Sequence, residues 1–335
     1  MPDRSVEVLR LAASSGDVLA LTRLGERLLQ EKTPAAYAEA VAALDRAVRS
    51  GGVEAPAIRA MTLALGIGGI QNWVAALDLL EAGSERGSAS AQGQLAALAG
   101  VDEAGLSRLG RRADRWARLR AAIDLDAWSK PPPQEILSRS PRIYAYTPFV
   151  STAVCNWLIA RARGRVVPAK VFDPERLGHR FEDARNNSAF ELDLSDMDVV
   201  MTMVRARIAA TVAVSSAALE QPQVLHYLPG QRFEQHYDFF DPALEGHVPE
   251  LARRGQRIVT FLLYLNAEFE GGETDFPLLG QRFKPPAAGA LCFVNIQPSG
   301  APDRRTLHAG LTPTKGEKWL LSQWIRERSE AARTP

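Results

Sequence analysis

From the N-terminus to about residue 128, apolar side chains recur three or four positions apart among Ala, Leu and Arg, the spacing that turns one face of an α-helix toward a core. Few strands are expected there. Val41-Ala42-Ala43-Leu44-Asp45 returns as Val74-Ala75-Ala76-Leu77-Asp78, 33 residues later, and a glycine follows each copy. Segments around Ala20 to Gly25, Ala57 to Gly66 and Ala91 to Gly100 read as first helices of successive pairs, with a period in the mid-thirties. A short solenoid and an irregular bundle both fit this pattern.

Lys130-Pro131-Pro132-Pro133 interrupts helix and ladder alike, because proline lacks the amide donor and fixes its backbone angle. The chain is therefore divided into a helical region over 1–129, a linker over 130–140, a second domain over 141–328 and a tail over 329–335. In the second domain Arg142 to Phe149 reads as a strand, Ser151 to Ala162 as a helix capped by Ser151 or Thr152, and Asp196 to Ala213 as another helix. Strands are then expected at Gln223 to Leu228, Phe233 to Asp238, Arg257 to Leu265, Glu273 to Phe276, Ala290 to Asn295, Arg305 to Ala309 and Lys318 to Ile325. The fold class is α+β: helices, then a jelly-roll or double-stranded β-helix with flanking helices. The helical region resembles degenerate tetratricopeptide-like repeats.

Composition changes this picture little. With 40 Lys and Arg against 39 Asp and Glu, there is no global field to gather nucleic acid or an anionic membrane. The run Arg108, Arg111, Arg112, Arg115, Arg118 and Arg120 around Trp116 suits either a solvated helix face or an acidic partner. Two cysteines, Cys155 and Cys292, form neither a disulfide framework nor a metal-ligand spacing. Acidic residues sit where a signal peptide would be basic, and polar residues interrupt the charge-free stretch between Arg59 and Asp78. A cytoplasmic protein is expected.

Chemistry enters with His236 and Asp238. Residues two apart on a strand share a face, so both can aim inward while Tyr237 points away. Joined by one more imidazole, they would form the two-histidine, one-carboxylate set that holds a non-haem iron(II) on one triangular face and leaves three positions open. Alone, the pair could equally be a surface hydrogen bond. His308 opens a late strand, and Lys318 follows after a turn at Gly316, beside Trp319, Leu320 and Leu321. An ammonium buried there needs an anion, which the distal carboxylate of 2-oxoglutarate would provide; an exposed edge-strand lysine is the alternative.

These residues are similar to a known family, the prolyl 4-hydroxylase branch of the iron(II)/2-oxoglutarate dioxygenases. The resemblance spans about residues 141 to 327. It rests on Tyr227-Leu228-Pro229-Gly230-Gln231-Arg232-Phe233-Glu234-Gln235-His236-Tyr237-Asp238, Arg257-Ile258-Val259-Thr260 with Tyr264-Leu265-Asn266, Gly271-Gly272-Glu273-Thr274, and His308 through Gly316-Glu317-Lys318-Trp319 to Trp324. It implies His236, Asp238 and His308 as iron ligands and Lys318 as partner of the distal carboxylate, with Tyr227 and Thr274 as hydroxyl helpers. Arg257 and Trp324 fall where the family contacts peptide, although an ion pair and core packing describe them equally well. One departure is Phe233, where the family usually has tyrosine.

The resemblance further implies iron(II), 2-oxoglutarate and dioxygen, with ascorbate in support, succinate and carbon dioxide as co-products, and hydroxylation of an unactivated carbon, foremost of a prolyl residue in a peptide or protein; the repeat-like helical half, of a kind that offers concave binding surfaces, is expected to recruit that target. A free amino acid or small metabolite as substrate, which Phe233 would allow, and a non-catalytic scaffold are the competing readings. The irregular stretch from Phe239 to Gly255 is expected to be a mobile lid. His226 is read as structural, the lid's His247 as a solvated loop histidine rather than a metal ligand, and His179 is unassigned.

Overall fold

The helical period of the first part resolves into helices that begin where the sequence supplies a cap. In this computed structural model, which describes residues 4–110, 112–173, 178–180 and 184–329, Asp17 accepts from the backbone N–H groups of Leu19 and Ala20 to open the helix Val18–Leu29. Thr33, Asn72 and Ser88 likewise cap Pro34–Arg49, Trp73–Glu85 and Ala89–Leu98. The helix Ala55–Leu65 has a proline in its first turn instead. The core of this region is Leu21, Leu24 and Leu28 against Ala40, Ala43, Leu44 and Ala47. A Cβ at Gly25 would lie 2.5 Å from the Leu44 side chain, so only glycine lets these two helices approach as they do. Half of the basic run is paired locally: Arg118 with Asp114, Arg120 with Asp78, and Arg115 over the Trp116 ring. Arg111 lies outside the described residues.

Contacts divide the chain into two compact units. One comprises residues 1–129 and 193–204, the other 130–192 and 205–335. The first unit thus contains a stretch from deep within the second domain's sequence. Met197 packs on its leucine and alanine core, and the Val199 N–H donates to Gln94 Oε1 at 2.9 Å.

In the second unit, among the described residues, an eight-stranded antiparallel sheet runs Glu135–Arg139, Arg142–Tyr146, Ala290–Val294, Arg257–Tyr264, Lys318–Arg326, Gln223–Tyr227, Ser188–Glu191, Val167–Pro168. A four-stranded antiparallel sheet runs Gln281–Phe283, Thr274–Phe276, His308–Gly310, Phe233–His236. Apolar side chains of both, among them Leu262, Leu291, Phe293 and Leu320 from the first and Phe276 from the second, share one core.

Several expectations change in detail. Glu135–Arg139 pairs with Arg142–Tyr146 as an edge strand, so the linker is shorter than the proline run suggests; an edge strand tolerates such a neighbourhood because one side of its ladder is unpaired. The helix after Asp193 starts later than expected: a turn at Leu194–Asp196, closed by a capping box from Asp193, precedes Val199–Thr211. Asp303 likewise caps a turn at Arg304–Thr306, and the strand begins only at His308. Gly316 ends a short strand, Pro313–Gly316, paired with Phe269–Gly271. The stretch expected to be an irregular lid contains the helix Val248–Arg254, and Gln256 ties its base by bonding both the N–H and the carbonyl of Phe240 at 2.7 Å. No helix among the described residues is long and apolar enough to cross a membrane.

Candidate metal centre

The antiparallel pair of Phe233–His236 and His308–Gly310 sets His236 directly opposite His308, and their ring centroids lie 4.2 Å apart. Just past the strand end, Asp238 returns to the same side. Its Oδ1 lies 3.6 Å from His236 Nε2 and its Oδ2 3.5 Å from His308 Nε2. One donor atom from each residue falls within 4.8 Å of the others, the only such histidine, cysteine and carboxylate cluster among the described residues.

Neighbouring groups hold these donors in the state a divalent cation requires. His236 Nδ1 donates to the Glu234 carbonyl at 2.7 Å, and His308 Nδ1 to the Thr306 carbonyl at 3.0 Å. A carbonyl can only accept, so each Nδ1 carries a proton, which leaves Nε2 as the nitrogen of each ring available to a metal. Burial, helped by His308, pushes the pKa of His236 down to about 3 and keeps the imidazole neutral. Burial alone would raise Asp238, but the His308 and His236 rings and a 2.7 Å hydrogen bond from Thr260 outweigh it and hold the carboxyl below its usual range. Thr260 in turn accepts from Asn295 Nδ2 at 2.9 Å. Phe233 lies against the His236 ring, and the Arg185 guanidinium sits 4.7 Å from the centre of the Phe233 ring.

A narrow cavity adjoins the triad, with Tyr227, Thr274, Lys318 and Trp324 in its wall. Lys318 is paired with Tyr227 across the ladder and is completely buried. Its Nζ lies 5.0 Å from the Tyr227 ring centre and has no hydrogen-bond partner among the described residues. Burial lowers its pKa to about 7, against the attraction of Glu273. Gly272, at φ +69°, makes room for the lysine stem: a Cβ there would lie 3.4 Å from Lys318 Cδ and 3.0 Å from the Phe269 ring. A buried ammonium without an acceptor is costly, so the site is built for an anion. Iron chelated by a keto acid with a free carboxylate fits both halves of the site: open positions at the triad and an orphaned cation beside it. Thr274 Oγ1 shares a 2.7 Å hydrogen bond with the Tyr264 hydroxyl.

Arg257 is absent from this cavity but, with Trp324, lines an adjoining one that also reaches His236 and Asp238. Its guanidinium is both ion-paired and packed: Nε and Nη2 each lie 2.8 Å from the Glu220 carboxylate, and the group stacks 3.9 Å from the Trp324 ring centre. His226 bonds Glu317 at 2.8 Å and stacks on Trp319, while His247 Nδ1 accepts from the Asp241 N–H at 2.8 Å. Neither joins the triad. The side chain of His179 lies outside the described residues. Sequence reasoning gave no role to Arg185, Glu220, Thr260 or Tyr264. Thr260 and Tyr264 carried a signal, as hydroxyls inside an otherwise apolar strand; Arg185 carried none.

Two imidazoles and a carboxylate around one point, with a buried lysine beside them, define a non-haem, keto-acid-dependent oxygenase centre. Residues 222–326 match the 2OG-Fe(II) oxygenase superfamily. "Prolyl 4-hydroxylase 1" of Arabidopsis thaliana is 32% identical over 233 residues, 65% of this chain and 80% of that protein. "Probable prolyl 4-hydroxylase 7" of the same plant is 31% identical over 211 residues, 58% of this chain and 65% of that protein, so the chain spans just under two thirds of this relative. The solved viral collagen prolyl hydroxylase from Paramecium Bursaria Chlorella virus-1, in its 2OG complex, is 28% identical, with a TM-score of 0.43 over 55% of this chain and 95% of that one. The chain belongs to the prolyl 4-hydroxylase family of 2OG-Fe(II) oxygenases, whose cofactor and cosubstrates are iron(II), 2-oxoglutarate and dioxygen.

Proposed function

We propose that the protein hydroxylates a prolyl residue in a peptide or protein. His236, Asp238 and His308 would hold iron(II), and Lys318, helped by the Tyr227 and Thr274 hydroxyls, the distal carboxylate of 2-oxoglutarate. Arg257 and Trp324 would form the wall that meets the peptide. When bound, iron(II) with 2-oxoglutarate supplies oxidative decarboxylation, dividing dioxygen between succinate and the hydroxyl of the product, with carbon dioxide released. Ascorbate would keep the metal ferrous.

The chain's own residues bind, orient and exclude water. The two Nδ1 hydrogen bonds fix the imidazole planes, the Thr260 hydroxyl fixes the carboxylate, and Leu225, Leu262 and Leu320 keep the cavity dry. The observation that carries the reading is the Lys318 ammonium, buried without a partner beside the triad. A scaffold that had lost catalysis would have no physical need for it.

The strand orders support reading this unit as a double-stranded β-helix, since earlier and later strands alternate across the centre of the large sheet, Ala290–Val294, Arg257–Tyr264, Lys318–Arg326, Gln223–Tyr227, and along the four-stranded one. The tetratricopeptide-like reading of the helical half is supported by contacts about one repeat apart: Arg46 donates to the Ala13 carbonyl at 3.1 Å, and Arg86 to the Gly52 carbonyl at 3.2 Å. Repeat arrays offer concave binding surfaces, and recruiting the target is the role proposed for this half. The test is incubation with iron(II), 2-oxoglutarate and proline-containing peptides. A mass gain of one oxygen atom that vanishes in His236→Ala is expected; succinate formation with no peptide modified would refute the prolyl assignment.

A further inference from the structure

Beyond the metal centre lies a further cavity of about 500 Å³. Phe240, Arg257 and Trp324 line both it and the cavity that reaches His236 and Asp238. Its wall carries Glu191, Glu220 and Glu250 against Arg253, Arg254 and Arg257, and two further arginines, Arg205 and Arg326, bond to residues of that wall. Glu220 accepts from Arg257 through both oxygens and from Arg326 at 3.1 Å, and these pairs hold its carboxyl down at about 2 although burial would raise it. Glu250 Oε2 lies between Arg326 at 3.2 Å and Arg253 at 3.0 Å. Glu191, out at the surface, accepts from Gln223 at 2.9 Å. The two carboxylates beside Arg254 in sequence or space, Glu220 and Glu250, are thus each taken up by other arginines.

Arg254 has no carboxylate partner among the described residues, although it is only 8% exposed. Its Nη2 reaches the carbonyls of Ala217 at 3.1 Å and Leu219 at 3.4 Å, and its Nε is buried without an acceptor. Nearby, Arg205 is confined to uncharged acceptors, the Glu220 and Leu219 carbonyls and Gln323 Oε1. Burial, reinforced by the charge of Arg254, lowers the Arg205 pKa to about 10. Two largely buried guanidinium groups without counter-charge are costly, and an incoming anion would relieve the cost.

We propose that this cavity receives a carboxylate side chain of the substrate, an Asp or Glu close in sequence to the residue being hydroxylated, with Arg254 as its counter-ion. The proposal rests on the peptide-hydroxylase reading above. Sequence proximity follows from the shared wall: an extended peptide advances only about 3.3 Å per residue, so a chain with its target at the triad passes Trp324 and Arg257 within a few residues. A single carboxylate suits the cavity better than a doubly charged phosphate, because three glutamates already stand in its wall.

The test uses the full chain with iron(II), 2-oxoglutarate and pairs of proline peptides that differ by Glu against Gln at one position, scanned over the few residues on either side of the proline. At one position the acidic peptide is expected to show a KM about tenfold lower, with kcat similar. Arg254→Gln should bring the two KM values together, and Arg254→Lys should retain the preference. The comparison is made within each variant, so a general loss of activity cannot imitate it, and Arg254→Lys guards against a fold that does not tolerate the neutral residue. No preference in the wild type at any position, or a full preference surviving in Arg254→Gln, overturns the proposal while leaving the prolyl reading intact. Failure to hydroxylate any peptide removes both.

Discussion

Phe233 lies flat on His236, with ring centroids 3.5 Å apart and planes 14° from parallel. The residue that departs from the family's usual tyrosine is therefore a support for an imidazole of the centre, and the plane it fixes is the one in which Nε2 points. The Arg185 guanidinium also lies over the Phe233 ring, 4.7 Å from its centre, so the ring contacts both a cation and an imidazole.

Removing that support should loosen the centre without removing a ligand. Phe233→Ala is expected to weaken iron(II) binding by about tenfold, the lower range for partners of a metal ligand, whereas Phe233→Tyr should bind as the wild type does. Metal titration followed by intrinsic fluorescence reads both, and an Ala variant with unchanged affinity would show that the stacking is incidental.

Thr260→Val deletes the hydroxyl that donates to Asp238 Oδ2 and keeps the shape of the side chain. Iron(II) affinity should fall by about 10- to 100-fold, and the carboxyl should titrate higher, so the loss is largest at low pH. Binding isotherms across pH decide; equal affinity at every pH argues against a role for Thr260.

Lys318 gives a stability prediction with a definite sign. Its pKa is lowered to about 7 in the folded protein, against about 10.4 in an unfolded chain. Between these values the unfolded state binds the extra proton, so stability without cosubstrate should rise with pH from about 7 to about 10. Lys318→Met should flatten that rise and raise the Tm at pH 7 while abolishing 2-oxoglutarate binding. Thermal unfolding at pH 7 and pH 9 checks it, and a Met variant melting below the wild type at pH 7 would contradict it.

Glu220→Gln leaves Arg257 and Arg326 facing a neutral amide. Breaking so buried a network should cost about 3 kcal/mol of stability and raise the KM for peptide more than that for 2-oxoglutarate, because Arg257 would lose its fixed place on Trp324. In the wild type the carboxyl titrates at about 2, so its contribution should be complete above the ordinary carboxylate range and be lost only as pH falls toward 2. Urea denaturation and steady-state kinetics test the two parts separately.

The sequence carried what is local. Helix starts were legible because caps and period lie within a few residues of each other, and His236 with Asp238 because two-residue alternation is a property of one strand. The pairing of His236 with His308 is a register between strands some seventy residues apart in sequence, which no local pattern contains; only the family resemblance joined them. The fold of Val248–Arg254 was hidden because a short helix at the surface has too few apolar positions to show a period. The network of Glu220, Glu250 and Arg326 stayed invisible for a related reason: a charged residue reads as exposed until packing shows otherwise.

The stretch from Asp193 to Val204 has a consequence for how this protein can be inherited and taken apart. A fragment ending at Ser129 would lack Met197 and the backbone amide that Gln94 holds, leaving a hole in the leucine and alanine core; one beginning at Lys130 would carry those residues with nothing to receive them. The two halves are therefore poor candidates for independent shuffling between genes. A cut or crossover at the proline run is therefore expected to damage both products.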